Sequence, residues 1–444
     1  MVTGANFLLT TPLGKFLIDC GLFQGGKIVE DKNREPFPYD PADINALFIT
    51  HAHLDHVGRI PKLIRDGFHG KIYSTAPTRE IAALILVDSL GVMEKEARAT
   101  HKPLIYSESD VHSALELWQT VGYHEPFELG PNLQVTFRDA GHILGSTMIE
   151  FSIRVQSGEE RKILFSGDLG NSPSPLLPET ENVMGIDYLV MESVYGDRVH
   201  EGLEERRDKL EDVIENTMRE GGTLMIPAFS IERTQELIYE IEQMMAEGRI
   251  PQVPVYLDSP LAIKVTAIYD KFRSYFNDRV ADPDLIRDGL FNFPNLHKTL
   301  STDESKAIPH FGRKIIIAGS GMSNGGRILH HEKRYLSDPK NVLLLMGYQS
   351  AGSLGRLLEE GAKRVTIMGE SIAVRAKVIT ITGYSAHCDR DGLFDFVHQT
   401  ADTLRRVFVA MGEPQASLFL TQRLRDYLGL NAVAPRVGEK FVLD

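Results

Sequence analysis

Seven short apolar segments, each running straight into glycine and polar residues, constrain the fold of this chain more than any other feature. Residues 46–49 lead into Thr50-His51-Ala52-His53-Leu54-Asp55-His56, residues 162–165 into Ser166-Gly167-Asp168, and residues 188–191 into Glu192-Ser193. Further along, 224–226 lead to Pro227-Ala228-Phe229-Ser230, 255–257 to Asp258-Ser259-Pro260, 315–318 to Gly319-Ser320-Gly321, and 378–381 to Thr382-Gly383-Tyr384-Ser385-Ala386-His387. Buried strands alternating with helices predict an α/β protein. One helix is legible over 231–246, where Leu237, Ile238, Ile241, Met244 and Met245 form a core-facing stripe. The mixed-charge run 201–219 reads as a solvated helix face. In such sheets sites collect at the carboxyl ends of strands, and the polar clusters fall there.

A chain of 444 residues has room for about two to three domains. Its net charge of -13 argues against a broad basic surface for duplex DNA. A narrow site for one strand stays open, because bound metal ions would add positive charge that a residue count misses. No apolar run approaches the roughly 20 residues of a membrane helix, so no membrane association is expected. The N-terminus has no basic region followed by a long apolar core, hence no secretory signal is read there. Two cysteines, Cys20 and Cys388, cannot build a disulfide framework, and a reducing cytoplasm is the expected location.

The sharpest chemical signal is His51-x-His53-x-Asp55-His56. Two imidazoles two residues apart, on a loop leaving a strand, can grip one metal, while Asp55 and His56 point elsewhere and can hold a second. Imidazole with carboxylate suits zinc. A polar loop that happens to hold three histidines is the plainer alternative, and with 15 histidines in the whole chain it is the poorer one. His142, in Gly141-His142-Ile143-Leu144-Gly145-Ser146, and Asp168, in Ser166-Gly167-Asp168-Leu169-Gly170, are weak signals alone. After that loop, and in that order, both become candidate ligands. Asp19 also ends a strand and is a candidate carboxylate for orienting a ligand histidine; a turn role fits it nearly as well.

The order Asp19, His51-x-His53-x-Asp55-His56, His142, Asp168 resembles the metallo-β-lactamase superfamily. Later motifs narrow the resemblance to the β-CASP nucleases, and to bacterial and archaeal relatives of the endonuclease subunit of the polyadenylation machinery. Met191-Glu192-Ser193-Val194-Tyr195-Gly196-Asp197-Arg198 looks like the family's acidic motif A, and Tyr384-Ser385-Ala386-His387 matches motif B at His387. Residues 227–236, Gly319-Ser320-Gly321-Met322-Ser323-Asn324-Gly325-Gly326-Arg327 and Gly347-Tyr348-Gln349 also fit. The resemblance covers nearly the whole chain. It implies an αββα metallo-β-lactamase sandwich from residues 1–197 and 366–444, with an α/β β-CASP domain inserted at 198–365.

The resemblance also implies a zinc-dependent endoribonuclease that hydrolyses single-stranded RNA through a metal-bound hydroxide. His51, His53 and His142 would hold the first zinc, Asp55 and His56 the second, and Asp168 would bridge. Asp55, Glu192 and His387 would then be the catalytic groups, with His387 protonating the leaving oxygen and Glu192 orienting it. Read without the family, Glu192 and His387 fit surface polar residues equally well. Ser320, Gly321 and Ser385 could present backbone N–H groups to phosphate. Arg233 could contact another phosphate, or equally form a surface salt bridge.

Two departures from the family pattern stand out. The chain opens at Val2-Thr3-Gly4-Ala5-Asn6, which looks like the middle of the usual opening, so about one strand is expected to be missing. The family's motif C has a histidine before Gly-Glu-Pro, where this chain has Met411-Gly412-Glu413-Pro414. A thioether is a poor zinc ligand, so the second metal is expected to be weakly held, with Mn2+ as an alternative occupant. Met411 therefore keeps open an RNA-binding homologue with weakened catalysis. Another hydrolase of the same fold is a third reading, which the long insertion disfavours. A homodimer is compatible with the family.

Overall fold

The computed structural model describes residues 2–25, 29, 31–155, 158–281, 290–350 and 352–444. The chain forms two compact units, Met1–Val199 with His387–Asp444, and His200–Ala386.

The first unit is built on two sheets. One has five strands in the order Phe7–Thr11, Gly14–Ile18, Ala46–Phe48, Lys71–Ser74 and Trp118–Thr120. The first pair is antiparallel and the rest are parallel. The other has seven strands, ordered Ala432–Val433, Arg406–Val409, Tyr188–Met191, Glu160–Phe165, Thr147–Arg154, Leu133–Asp139 and Phe127–Gly130. Their inner faces pack on one another. Strand Leu133–Asp139 alternates in the manner of a one-face-buried strand, sending Leu133, Val135 and Phe137 inward. Those side chains meet Phe16, Ile18 and Phe48 of the five-stranded sheet in one apolar cluster, in which the rings of Phe48 and Phe151 lie 5.2 Å apart, edge to face. Leu164, Leu189 and Val407 face the other way and pack against Leu393 and Val397 of helix Arg390–Thr400 and Leu420 and Leu424 of helix Pro414–Leu428. Helix Ala76–Thr100 packs beside the five-stranded sheet, and Glu108–Glu116 packs against that helix and helix Ile60–Arg65. The layers are the expected αββα sandwich.

The second unit carries a six-stranded parallel sheet in the order Leu296–Lys298, Val255–Leu257, Lys314–Ala318, Thr223–Pro227, Val342–Met346 and Lys377–Ile381. Its central strands are buried along their whole length, which is why they read as continuous apolar runs rather than alternating ones. The helical stripe at 237–245 lies in helix Arg233–Ala246 and is buried as expected.

Two expectations change. Strand Lys377–Ile381, expected in the flanking sandwich, pairs in parallel with Val342–Met346 as an edge of the six-stranded sheet. The second unit accordingly runs to Ala386 rather than to 365. The run 201–219 does form a helix, Leu203–Arg219, but not a wholly solvated one. Arg206 is among the most buried side chains: it donates to the Gly383 carbonyl at 2.7 Å and pairs with Glu240 at 3.4 Å and Glu236 at 3.7 Å.

Candidate metal centre

Three loops bring the candidate ligands together, and each is shaped by local chemistry that the sequence carries. The first leaves strand Ala46–Phe48 and becomes the short helix Leu54–Val57, with His53 as its N-cap residue. The segment after strand Gly14–Ile18 runs beside it: Cys20 N–H donates to the His56 carbonyl at 2.8 Å, and Leu22 N–H to the Leu54 carbonyl at 3.0 Å. Gly21 permits this approach, since a β-carbon there would lie 1.4 Å from the Asp55 carbonyl oxygen. The second loop holds His142, whose N–H donates to the Ser146 hydroxyl at 3.0 Å, while Asp139 accepts from Gly141 N–H at 2.8 Å. The third follows strand Glu160–Phe165 and turns at Gly167, φ 56°, to present Asp168.

The donor atoms fit one divalent metal. His51 Nε2 lies 3.0 Å from His53 Nδ1, and His142 Nε2 lies 3.2 Å from the same atom. Asp168 Oδ2 is 3.4 Å from His51 Nε2 and 3.7 Å from His142 Nε2. Four ligands on a tetrahedral zinc, with bonds of about 2.0–2.1 Å, sit about 3.3 Å apart, so these separations are those a bound ion needs. A second set adjoins it. His56 Nε2 is 3.4 Å from the same Asp168 oxygen and 3.9 Å from Asp55 Oδ2. This nitrogen is buried and faces these carboxylates without a hydrogen bond of normal geometry among the described residues, as suits a ligand. Asp168 Oδ2 is thus shared by both sets.

Asp19 Oδ2 lies 2.8 Å from His56 Nδ1, while the other ring nitrogen of His56 faces Asp168. Met411 lines one small cavity together with His56, Asp19, Thr50, Gly167 and Glu192.

His387 and Glu192 form a pair on the other side of Asp168. His387 Nδ1 lies 3.2 Å from both Glu192 oxygens and 3.8 Å from Asp168 Oδ2. Glu192 is fixed in turn by Leu169 N–H at 2.7 Å and Val194 N–H at 3.3 Å. A bridge between Gly170 and His387, and a bond from Cys388 N–H to the Leu169 carbonyl at 2.8 Å, hold the histidine against the Asp168 loop.

The buried imidazoles and carboxylates shift one another strongly. Burial, reinforced by neighbouring His56, holds the His51 imidazole well below its ordinary pKa, in the neutral form a metal requires. Burial works against charging Asp168, but His56, His51 and His387 outweigh it and keep the carboxyl well below the usual range. Burial likewise opposes charge on His56, where Asp168 and Asp19 prevail and raise its pKa well above normal. Burial pushes Asp55 and Glu192 up. For His387 burial is outweighed by Glu192 and Asp168, and its pKa rises to about 9.

The candidate phosphate contacts all lie in the second unit. The Ser320 hydroxyl accepts from Asn324 N–H at 3.0 Å, and the Gly321 carbonyl accepts from Gln349 at 3.3 Å. Ser385 is buried, with its N–H donated to the Thr382 carbonyl at 3.0 Å. Arg233 is 5% exposed and paired at 2.5 Å with Glu236, so its guanidinium is spent inside the unit, neither on a surface salt bridge nor on an exposed contact. Sequence reasoning missed Thr50, whose hydroxyl lies 2.8 Å from Asp19, 3.0 Å from His51 and 3.3 Å from His56. Its only signal in the sequence was its place just before His51.

Comparison with known proteins gives matches along most of the chain. Residues 15–205 match the beta-lactamase superfamily domain, 234–358 the Beta-Casp domain, and 371–435 the Zn-dependent metallo-hydrolase RNA specificity domain. Ribonuclease TTHA0252 of Thermus thermophilus is 37% identical over 425 residues, covering 95% of this chain and 93% of that protein. The RNase J-like protein of Methanocaldococcus jannaschii is 32% identical, covering 96% and 94%. Transcription termination factor FttA of Methanosarcina mazei is 32% identical over 93% of this chain and 66% of its own length.

Proposed function

The chain belongs to the β-CASP ribonucleases of the metallo-β-lactamase superfamily, and on that premise we propose that it is an endonuclease on single-stranded RNA working with two zinc ions. The observation that carries the reading is the single oxygen, Asp168 Oδ2, within 3.4–3.8 Å of His51, His56, His142 and His387. His51, His53, His142 and Asp168 would hold one metal; Asp55, His56 and Asp168 would hold the other. Divalent metals held there would activate water and screen the charge of the phosphodiester.

The chain's own groups supply the rest. Glu192 engages His387 at Nδ1, so the proton for the departing 5′ oxygen or 3′ oxygen is given from Nε2. Buried Glu192 also stabilises the cationic form of His387 before the proton is given. Asp19 keeps His56 in the tautomer that can bind metal through Nε2. In the second unit, the Ser320–Gly321 turn and Ser385 remain the candidate phosphate contacts; Arg233 does not, being buried on Glu236. The two cysteines are free, which accords with the cytoplasm as the place of work.

Met411 favours a second reading, a homologue that binds RNA but cuts it slowly because the second metal has few protein ligands. One experiment separates these. Zinc content of the purified chain is measured alongside cleavage of an end-labelled single-stranded RNA, with a thioester as control substrate. Metal-dependent RNA cleavage without thioester hydrolysis supports the proposal. RNA binding with no metal-stimulated cleavage favours the second reading, and thioester hydrolysis without RNA cleavage sinks both.

A further inference from the structure

Thr50 sits where the ligand loops meet. It is 1% exposed, and its backbone and side chain are both committed. Its N–H donates to Asp19 Oδ1 at 2.8 Å, and its carbonyl accepts from Thr147 N–H at 2.7 Å, at the start of the strand that follows the His142 loop. Its side chain fills the place a β-carbon on Gly167 would take, 2.7 Å away, so it also packs on the turn that presents Asp168.

The hydroxyl is the telling part. Oγ1 lies 2.8 Å from Asp19 Oδ2, 3.0 Å from His51 Nδ1 and 3.3 Å from His56 Nδ1. If His51 and His56 bind metal through Nε2, each must carry its proton on Nδ1. One arrangement of protons then satisfies every group. His56 donates to Asp19 Oδ2 at 2.8 Å, the Thr50 hydroxyl donates to the same carboxylate, and His51 donates to the Thr50 oxygen. Asp19 thereby orients His56 directly and His51 through one hydroxyl.

We infer that Thr50 is a positioning residue for the metal ligands, a hydroxyl relay that extends the Asp19 carboxylate to His51 and so couples the ligands of both metals. The inference rests on the reading above that these histidines hold metal. Loss of such an outer partner costs about 10- to 100-fold in metal affinity.

The test compares Thr50→Ser with Thr50→Ala in the full chain, by competition for Zn2+ against a chromogenic chelator. Both variants lose the methyl that packs near Gly167, and only one keeps the hydroxyl. Thr50→Ser should bind zinc within a few-fold of the parent, and Thr50→Ala at least about tenfold more weakly. Equal affinity of the two overturns the relay and leaves Thr50 as packing alone. If Thr50→Ala does not fold, nitrogen-edited NMR of the zinc-loaded parent decides. Slowly exchanging Nδ1 protons on both His51 and His56 support the relay, and absence of the His51 signal overturns it. A parent that binds no zinc sinks the metal reading itself, a different result from a zinc-binding parent whose two variants behave alike.

Discussion

Replacing His387 with alanine should separate chemistry from metal binding, and the geometry sets both magnitudes. His387 contacts two carboxylates, Glu192 at 3.2 Å and Asp168 at 3.8 Å, and could be taken for a ligand, since Asp168, Glu192 and His387 are themselves close enough to hold an ion. Glu192, however, already accepts two backbone N–H groups besides His387. With its pKa raised to about 9, the imidazole is mainly cationic at neutral pH. A cation 3.8 Å from Asp168 attracts that carboxylate by about 4 kcal/mol at an effective dielectric near 20, in competition with a bound metal. Removing it should therefore not weaken zinc binding. Loss of a general acid should slow cleavage by about 10²- to 10⁴-fold, roughly 3–5 kcal/mol of barrier. The active form is the protonated one, so the parent rate should fall as pH rises through the pKa of His387, and the variant should lack that alkaline limb. Single-turnover cleavage of labelled RNA between pH 6 and 10, with zinc content from equilibrium dialysis, measures both. Asp168→Ala is the control that should lose metal and activity together. If His387→Ala loses as much zinc as Asp168→Ala, or keeps the parent's alkaline limb, the general-acid assignment fails.

Met411→His should tighten the second metal and raise the cleavage rate at limiting zinc. The backbone there has φ 50°, a region histidine tolerates better than most residues, so the change costs little locally. No gain in zinc stoichiometry would place Met411 outside the metal's reach. Gly21→Ala should destabilise the chain by about 1–3 kcal/mol or more, because its β-carbon meets the Asp55 carbonyl, and should displace Asp55 and His56; unchanged melting and zinc binding would refute this. Burial pushes the Glu332 carboxyl, bonded to Ser323, up to about 8. An unfolded glutamate titrates near 4.3, so between those values the unfolded chain sheds a proton that the folded chain keeps. Stability should therefore fall as pH rises across that window, by up to about 1.4 kcal/mol per pH unit. Denaturant melts at pH 5 and 8 should show a smaller difference for Glu332→Gln than for the parent, and an equal difference refutes the assignment.

The seven apolar strands and the His51–His56 loop were legible because their signals are local: a buried strand is an unbroken apolar run, and two imidazoles two residues apart report their shared direction without help from the rest of the chain. His142 and Asp168 could be placed only by order, since nothing near either residue names its partner. Tertiary structure decided that one oxygen of Asp168 faces four imidazoles, because that depends on four segments far apart in sequence, around residues 51–56, 142, 168 and 387, converging at one place. It also decided that Arg233 is turned into its own unit and that Arg206, within a run that reads as solvated, is buried against Gly383, 177 residues away. Strand Lys377–Ile381 looks the same in sequence whichever sheet it joins; only its hydrogen bonds to Val342–Met346 choose. Thr50 was missed for the same reason: a threonine's propensity says that it suits a strand end, while the carboxylate and the two imidazoles around its hydroxyl are brought there by the fold.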